Sequence, residues 1–118
     1  MEAIDHVEQG IALYDRERHG KFAFLYAGHD PGACAHWHRG FGHWMLGYPE
    51  RALIGVEAAC RLAEELEHPI TIAVGLWFSG WVRCMRGELD VGLAILDRLI
   101  TLSRTHGITL WLGVADAF

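Results

Sequence analysis

The sequence predicts an all-α fold of stacked helix-turn-helix units, and three observations predict it. The first is internal self-similarity. Moved along by forty residues, Trp37 falls on Trp77, Gly40 on Gly80, Phe41 on Trp81, Met45 on Met85, Gly47 on Gly87, Leu53 on Leu93 and Leu62 on Leu102. A repeat of that length is a supersecondary unit that cannot bury its apolar face alone and must stack on its neighbours. The second is punctuation, because prolines and glycines stand where helices would start and stop. The third is that no stretch alternates polar and apolar residues with a period of two, so no strand is expected.

The elements follow in order. Ala3–Arg18 carries Ile4, Val7, Ile11 and Leu13-Tyr14 at helical spacing, which predicts a leading amphipathic helix over about residues 3–18. A loop over 19–32 follows, although Phe22, Phe24, Leu25 and Tyr26 are too apolar to stay in water. Asp30-Pro31-Gly32 supplies a capping carboxylate and then a proline at the first helical position, where its missing N–H costs nothing. The first repeat, about 33–67, has a helix to Leu46, a turn at Gly47 and a second helix opened by Pro49. In that second helix Leu53, Val56, Cys60 and Leu62-Ala63 form an apolar stripe opposite Glu57, Arg61, Glu64 and Glu65. His68-Pro69 ends it, since the residue before proline is pushed out of the helical region. The second repeat, about 70–105, turns at Gly87 and carries the stripe Leu93, Leu96, Leu99, Ile100 and Leu102. His106-Gly107 closes it, and a trailing helix is expected over 108–118. All of this belongs to one domain.

Composition narrows the function classes. Half the residues are apolar (52%) and about a fifth charged (21%), which is a globular balance. A net charge of -5, with Lys21 as the lone lysine and scattered arginines, provides no basic patch for phosphates, so no nucleic-acid partner is expected. The longest uncharged apolar run, Ile70–Val82, is shorter than the ~20 residues of a membrane span, so no membrane partner is expected either. Cys34, Cys60 and Cys84 are odd in number and far apart, as buried thiols in a reducing compartment are. With an acidic start lacking an apolar signal core, a soluble cytoplasmic protein is expected.

Chemistry-bearing patterns are sparse. His29, Cys34, His36, His38 and His43 cluster in sequence, yet His36 and His38 point to nearly opposite sides of a helix. His36 and His43 share a face but stand ~10.5 Å apart along the axis, whereas helical ligand pairs use i, i+4. No metal site and no cofactor are expected. Cys34 and His38 are an i, i+4 pair without a third group to orient the histidine, so catalysis is not expected. No G-x-x-x-x-G-K-[ST] phosphate loop occurs, and Gly40-Phe41-Gly42 continues to His43-Trp44-Met45 instead of a dinucleotide fingerprint.

The repeated small residue inside each first helix (Gly40, Gly80), the turn glycine (Gly47, Gly87) and the opening of each second helix (Ala52-Leu53, Gly92-Leu93) resemble tetratricopeptide repeats. The strings Val7–Asp15, His29–Gly32 and Trp44–Leu53 look like the repeat region of large bacterial predicted ATPases. In that family such repeats often follow an adenylate/guanylate cyclase domain and a P-loop ATPase domain. The resemblance implies a right-handed solenoid and covers nearly the whole chain. The chain would begin on the second half of a repeat and end within a first half, as a solenoid fragment or a stand-alone derivative does.

That resemblance also gives the tryptophans a role. Trp37, Phe41 and Trp44 follow i, i+4, i+7, and Trp77 and Trp81 repeat the first two positions. In the repeat family these positions face a concave groove where partners bind; the plain alternative is that these rings are core. A groove so apolar needs cover, from an apolar segment, a second protomer, a small ligand or the chain's own Phe22–Tyr26. The expected function is a non-catalytic module for protein–protein interaction or scaffolding. A homodimer through the groove or the terminal helices is expected, because neither end is polar enough to cap a solenoid. The other reading is a small-ligand sensor binding in the aromatic groove, which requires convergent polar groups beside the tryptophans.

Overall fold

Each helix boundary has a short local cause. The computed structural model describes residues 2–116. Its elements are α1 (Glu2–Leu13), α2 (Arg16–His19), a π-helical turn (Ala23–Ala27), α3 (Pro31–Met45), α4 (Pro49–Leu66), α5 (Pro69–Met85), α6 (Leu89–His106) and α7 (Thr109–Asp116). No strand occurs among the described residues, so the fold class is all-α as predicted. Phe118, assigned by the sequence to the trailing helix, lies outside the described residues.

Prolines open α3, α4 and α5. The Asp30 carboxylate accepts from the Ala33 N–H at 2.8 Å, which is the expected cap of α3. Gly47, Gly87 and Gly107 take φ of 82°, 83° and 66°, the left-handed conformation that turns the chain after α3, α5 and α6. After α4 the same job falls to Glu67, at φ 52°. A side chain in that region costs about 1 kcal/mol, so this turn is the strained one.

The leading helix departs from expectation. It stops at Leu13, because Asp15 is extended and its carboxylate accepts from the Glu17 and Arg18 N–H groups, starting α2 as a separate turn. The break lets the Tyr14 hydroxyl donate to Asp30 at 2.9 Å. The stretch expected as plain loop holds the π-helical turn, with Ala23 buried and Phe24 and Leu25 exposed.

Packing follows sequence order. α1 packs on α3, α3 on α4, α4 on α5, α5 on α6 and α6 on α7, while α3 also meets α5 directly. The extents of 35 × 35 × 19 Å describe a slab whose thin dimension is about two helix diameters. Trp37, Ala33, Ala59 and Val74 form one part of the core, Ala52, Val56 and Val82 a second, and Ala73, Leu76, Leu96 and Leu99 a third.

Glycines set the closest crossings. An added Cβ on Gly40 would lie 2.8 Å from the Ala52 carbonyl oxygen, and one on Gly55 would lie 2.6 Å from Gly40 Cα. Gly80 and Gly92 form the matching crossing of α5 with α6, where a Gly92 Cβ would lie 2.5 Å from Cys84 Sγ. This crossing corrects one expected stripe. Gly92 faces α5, so Leu93 turns outward at 51% exposure, and the buried face of α6 runs through Gly92, Leu96, Leu99 and Ser103. No helix among the described residues is long and apolar enough to cross a membrane.

Candidate functional site

Where α3 meets α5, aromatic rings form a continuous ladder. Trp37 stacks on Phe78 with centroids 5.6 Å apart and planes within 6° of parallel. Phe78 meets Phe41 edge-on at 6.4 Å, Phe41 meets Trp81 at 5.6 Å, and Trp81 meets Trp44 edge-on at 6.0 Å. Edge-to-face and offset contacts of this kind add about 0.5–1.5 kcal/mol each beyond area burial, so the ladder is a stiff support. The pairing follows from i, i+4, i+7 spacing on α3 against the same face of α5.

The five sequence candidates separate here. Trp37 is buried at 2% exposure and offers a partner no surface. Phe41, at 38%, with half-buried Trp44 and Trp81, forms the accessible edge of the ladder. One helical turn beyond Phe41 and Trp81 stand the exposed Met45 and Met85. Trp77 lies elsewhere, with its ring 6.1 Å from Trp111 of α7. The forty-residue match missed Phe78, because the residue it pairs with in α3 is His38. Helical phase would have found it: Phe78 and Trp81 are three apart and share a face. Of the Phe22–Tyr26 segment expected as cover, Phe22 lies against His19, with ring centroids 5.6 Å apart, and the Tyr26 side chain lies outside the described residues. Phe24 instead packs edge-on against His68, 4.5 Å away, near the start of α5.

Beside Phe41 and Met45, a groove of about 330 Å³ runs between α1 and α3, lined also by Ile4, Val7, Gly42 and Leu46. Charged residues lie at the same end of α5. Arg83 pairs with Glu57 and Glu88, and Arg86 with Glu50 and Glu88. Those hydrogen bonds from Arg86, then Arg83, hold the Glu88 carboxyl below its ordinary range.

A second constellation is buried and was not expected. Asp30 is fully buried, with Oδ1 accepting from Tyr14, Oδ2 from the Ala33 N–H, and its own N–H donating to Thr71 Oγ1 at 3.0 Å. The Thr71 hydroxyl then donates to His68 Nδ1 at 2.7 Å, and the Thr71 N–H points to the same nitrogen at 3.3 Å. An N–H can only donate, so His68 Nδ1 is an acceptor and the ring is neutral. Burial, and then the neighbouring His29, hold His68 below its ordinary value against the pull of Asp30. Burial, followed by the bond to Asp30, pushes the Tyr14 phenol up, so it remains a donor. The sequence signal for this network was two helix-opening prolines, each preceded by a side chain able to cap.

The reactive-group candidates are arranged for structure. Cys34 Sγ lies 3.5 Å from His38 Nδ1, but that nitrogen is 2.8 Å from the Cys34 carbonyl oxygen, which can only accept. The Nδ1 proton is therefore committed, and the nitrogen cannot act as base toward the thiol. Burial, with Asp30 adding to it, pushes the Cys34 thiol up, and burial takes Cys60 to about 11. Among the described residues no three His, Cys, Asp or Glu side chains gather to hold a metal ion.

No protein-family model, curated protein or solved structure matches this chain.

Proposed function

We propose that this chain is a tetratricopeptide-like repeat module, similar to the repeat regions of bacterial predicted ATPases, which acts by protein interaction and not by catalysis. Its first partner is a second copy of itself, docked on the open edge of the aromatic ladder. The observation that carries this reading is that edge, where Phe41, Trp44 and Trp81 lie beside exposed Met45 and Met85 on a packed base. Aromatic residues and methionine are the types enriched at interface centres, and side chains already held in place lose little freedom on docking. The sensor reading in the same groove has less support, because the ladder rings fill the space between α3 and α5 instead of enclosing a cavity.

Light scattering after size exclusion at micromolar concentration tests the proposal. A dimer has twice the 13.2 kDa chain mass, and Phe41→Glu with Met85→Glu is expected to return it to monomer. Both residues are exposed, so an unchanged helical circular dichroism spectrum separates lost association from lost folding. A wild-type chain that remains monomeric refutes self-association.

A further inference from the structure

The chain has three methionines, and the two among the described residues, Met45 and Met85, both stand at the open edge of the aromatic ladder. They occupy matching positions of the two repeats, one helical turn beyond Phe41 and Trp81, whose ring centroids lie 5.6 Å apart. Exposures of 69% and 53% leave both thioethers open to water in the free chain. A thioether is apolar and adaptable, which suits a contact made by aromatic rings. It is also a side chain that a single added oxygen atom turns from apolar to polar.

The other sulfurs are poorly placed to compete for an oxidant. Peroxides attack the thiolate, and a thiol that keeps its proton reacts slowly. Burial, and then Asp30, pushes the Cys34 thiol up, and burial takes Cys60 to about 11, so both stay protonated near neutral pH. Cys84 sits in the crossing of α5 with α6, where its Sγ would lie 2.5 Å from a Cβ added to Gly92. A thioether has no proton to lose, so its reactivity follows exposure and not ionisation. Exposure favours the methionines, since all three cysteines are partly buried.

We propose that Met45 and Met85 make the ladder edge a peroxide-sensitive contact: their oxidation to sulfoxides in the free chain prevents docking, and docking shields them from oxidation. This rests on the reading of that edge as the surface that takes a second copy. In each step the Sδ lone pair takes the near oxygen of hydrogen peroxide. The S–O bond forms as the O–O bond breaks, and the proton on the transferred oxygen leaves with the departing hydroxide as water. The thioether is oxidised by two electrons and the peroxide is reduced. The new oxygen is a strong acceptor with no donor waiting for it, because Arg83 and Arg86 at that end of α5 are already paired with Glu57, Glu88 and Glu50. Closing the contact over it buries an unsatisfied polar atom at each oxidised residue of both copies.

The test is light scattering after size exclusion on the full chain, before and after limited hydrogen peroxide treatment, with peptide mass spectrometry reading each sulfur. Sulfoxides are expected at Met45 and Met85 ahead of any cysteine oxidation. The association constant then falls by about tenfold or more while the helical circular dichroism spectrum is unchanged. Incubation with the two methionine sulfoxide reductases, one for each sulfoxide epimer, restores the dimer, and a thiol reductant does not. Oxidation of both residues slows as the protein concentration rises and more of the chain is docked. In Met45→Leu/Met85→Leu, peroxide leaves the association constant of that variant where it stood before treatment. A dimer that persists with both sulfoxides in place, or cysteines oxidised before the methionines, overturns the proposal and leaves the docking reading standing. A chain that is monomeric before any peroxide is added overturns the docking reading and this proposal with it, so the untreated sample tells the two failures apart.

Discussion

Replacing Gly40 by alanine tests how closely α3 and α4 cross. An ordinary Cβ contact begins near 3.4 Å, whereas at Gly40 the new carbon would sit 2.8 Å from the Ala52 carbonyl oxygen and 3.0 Å from the Val56 nitrogen. Both are backbone atoms of α4, so the strain is relieved only by moving one helix off the other by several tenths of an ångström. Overpacking of this kind costs about 1–3 kcal/mol, and the better helix propensity of alanine returns about 1 kcal/mol. The expected net loss is about 0–2 kcal/mol. Gly80 is predicted to behave differently under the same change. There the close atoms, at 2.8 and 2.9 Å, belong to the Leu96 side chain, which can rotate away, and the nearest backbone atom is 3.3 Å off. Gly80→Ala is therefore expected within about 1 kcal/mol of neutral, while Gly80→Leu exceeds the available space and costs about 1–3 kcal/mol. Gly10, in α1 with nothing within 4 Å of its added Cβ, is the control, and Gly10→Ala is expected to stabilise by about 0.5–1 kcal/mol. Urea denaturation followed by circular dichroism reads all four. If Gly40→Ala raises the midpoint as Gly10→Ala does, the close crossing is refuted.

Two further outcomes follow from local geometry. His68 accepts at Nδ1 and His36 is partly buried beside Arg39, so burial first, and for His36 then Arg39, hold both below the ordinary 6.5 in the folded chain. The unfolded chain then binds more protons, so their contribution is complete above about pH 6.5 and is lost as the pH falls through the folded values; His68→Asn, which keeps a capping acceptor without titrating, is expected to flatten the acid side of a stability–pH curve. Glu67→Gly relieves the left-handed strain at φ 52° and is expected to stabilise by up to about 1 kcal/mol, against which a lowered urea midpoint would count.

What could be seen in the sequence was set by local chemistry. Proline at the head of a helix and glycine beyond its end act within a few residues, so α3 to α6 fall within a residue or two of expectation. Asp15 is as good a cap as Asp30, but it lies inside an apolar pattern that continues through Tyr14, and the pattern concealed the break between α1 and α2. The third dimension was harder to see. Leu93 carries the spacing of a core residue and still faces water, because the contact face of α6 is chosen by Gly92, which a hydrophobicity pattern does not weigh. Phe78 was missed because the shift of forty residues pairs it with His38, so the repeat carries no aromatic signal at that position. The Tyr14–Asp30–Thr71–His68 network joins three segments distant in sequence, and no spacing rule places them together.

The interaction reading rests on the ladder edge more firmly than on the terminal helices. Leu13 and Leu110 are more exposed, at 78% and 69%, but Leu13 belongs to no set of stacked rings, and Leu110 lines an open cleft with Phe24 and Ile70 at the other end of α5. Phe41 and Trp44 each meet Trp81, and Trp44 and Trp81 pack against Val56 and Val82, which are fully buried. A partner that covers them removes a contiguous surface from water without ordering it first. Charged pairs at the same end of α5, Arg83 with Glu57 and Glu88, and Arg86 with Glu50, give that surface a polar border. An apolar centre with a charged rim sets where a partner stops as well as where it sticks, because a displaced copy would strand one of those charges against apolar rings. A ladder serving only as core has no need of such a border, nor of two exposed methionines one turn beyond its open rings.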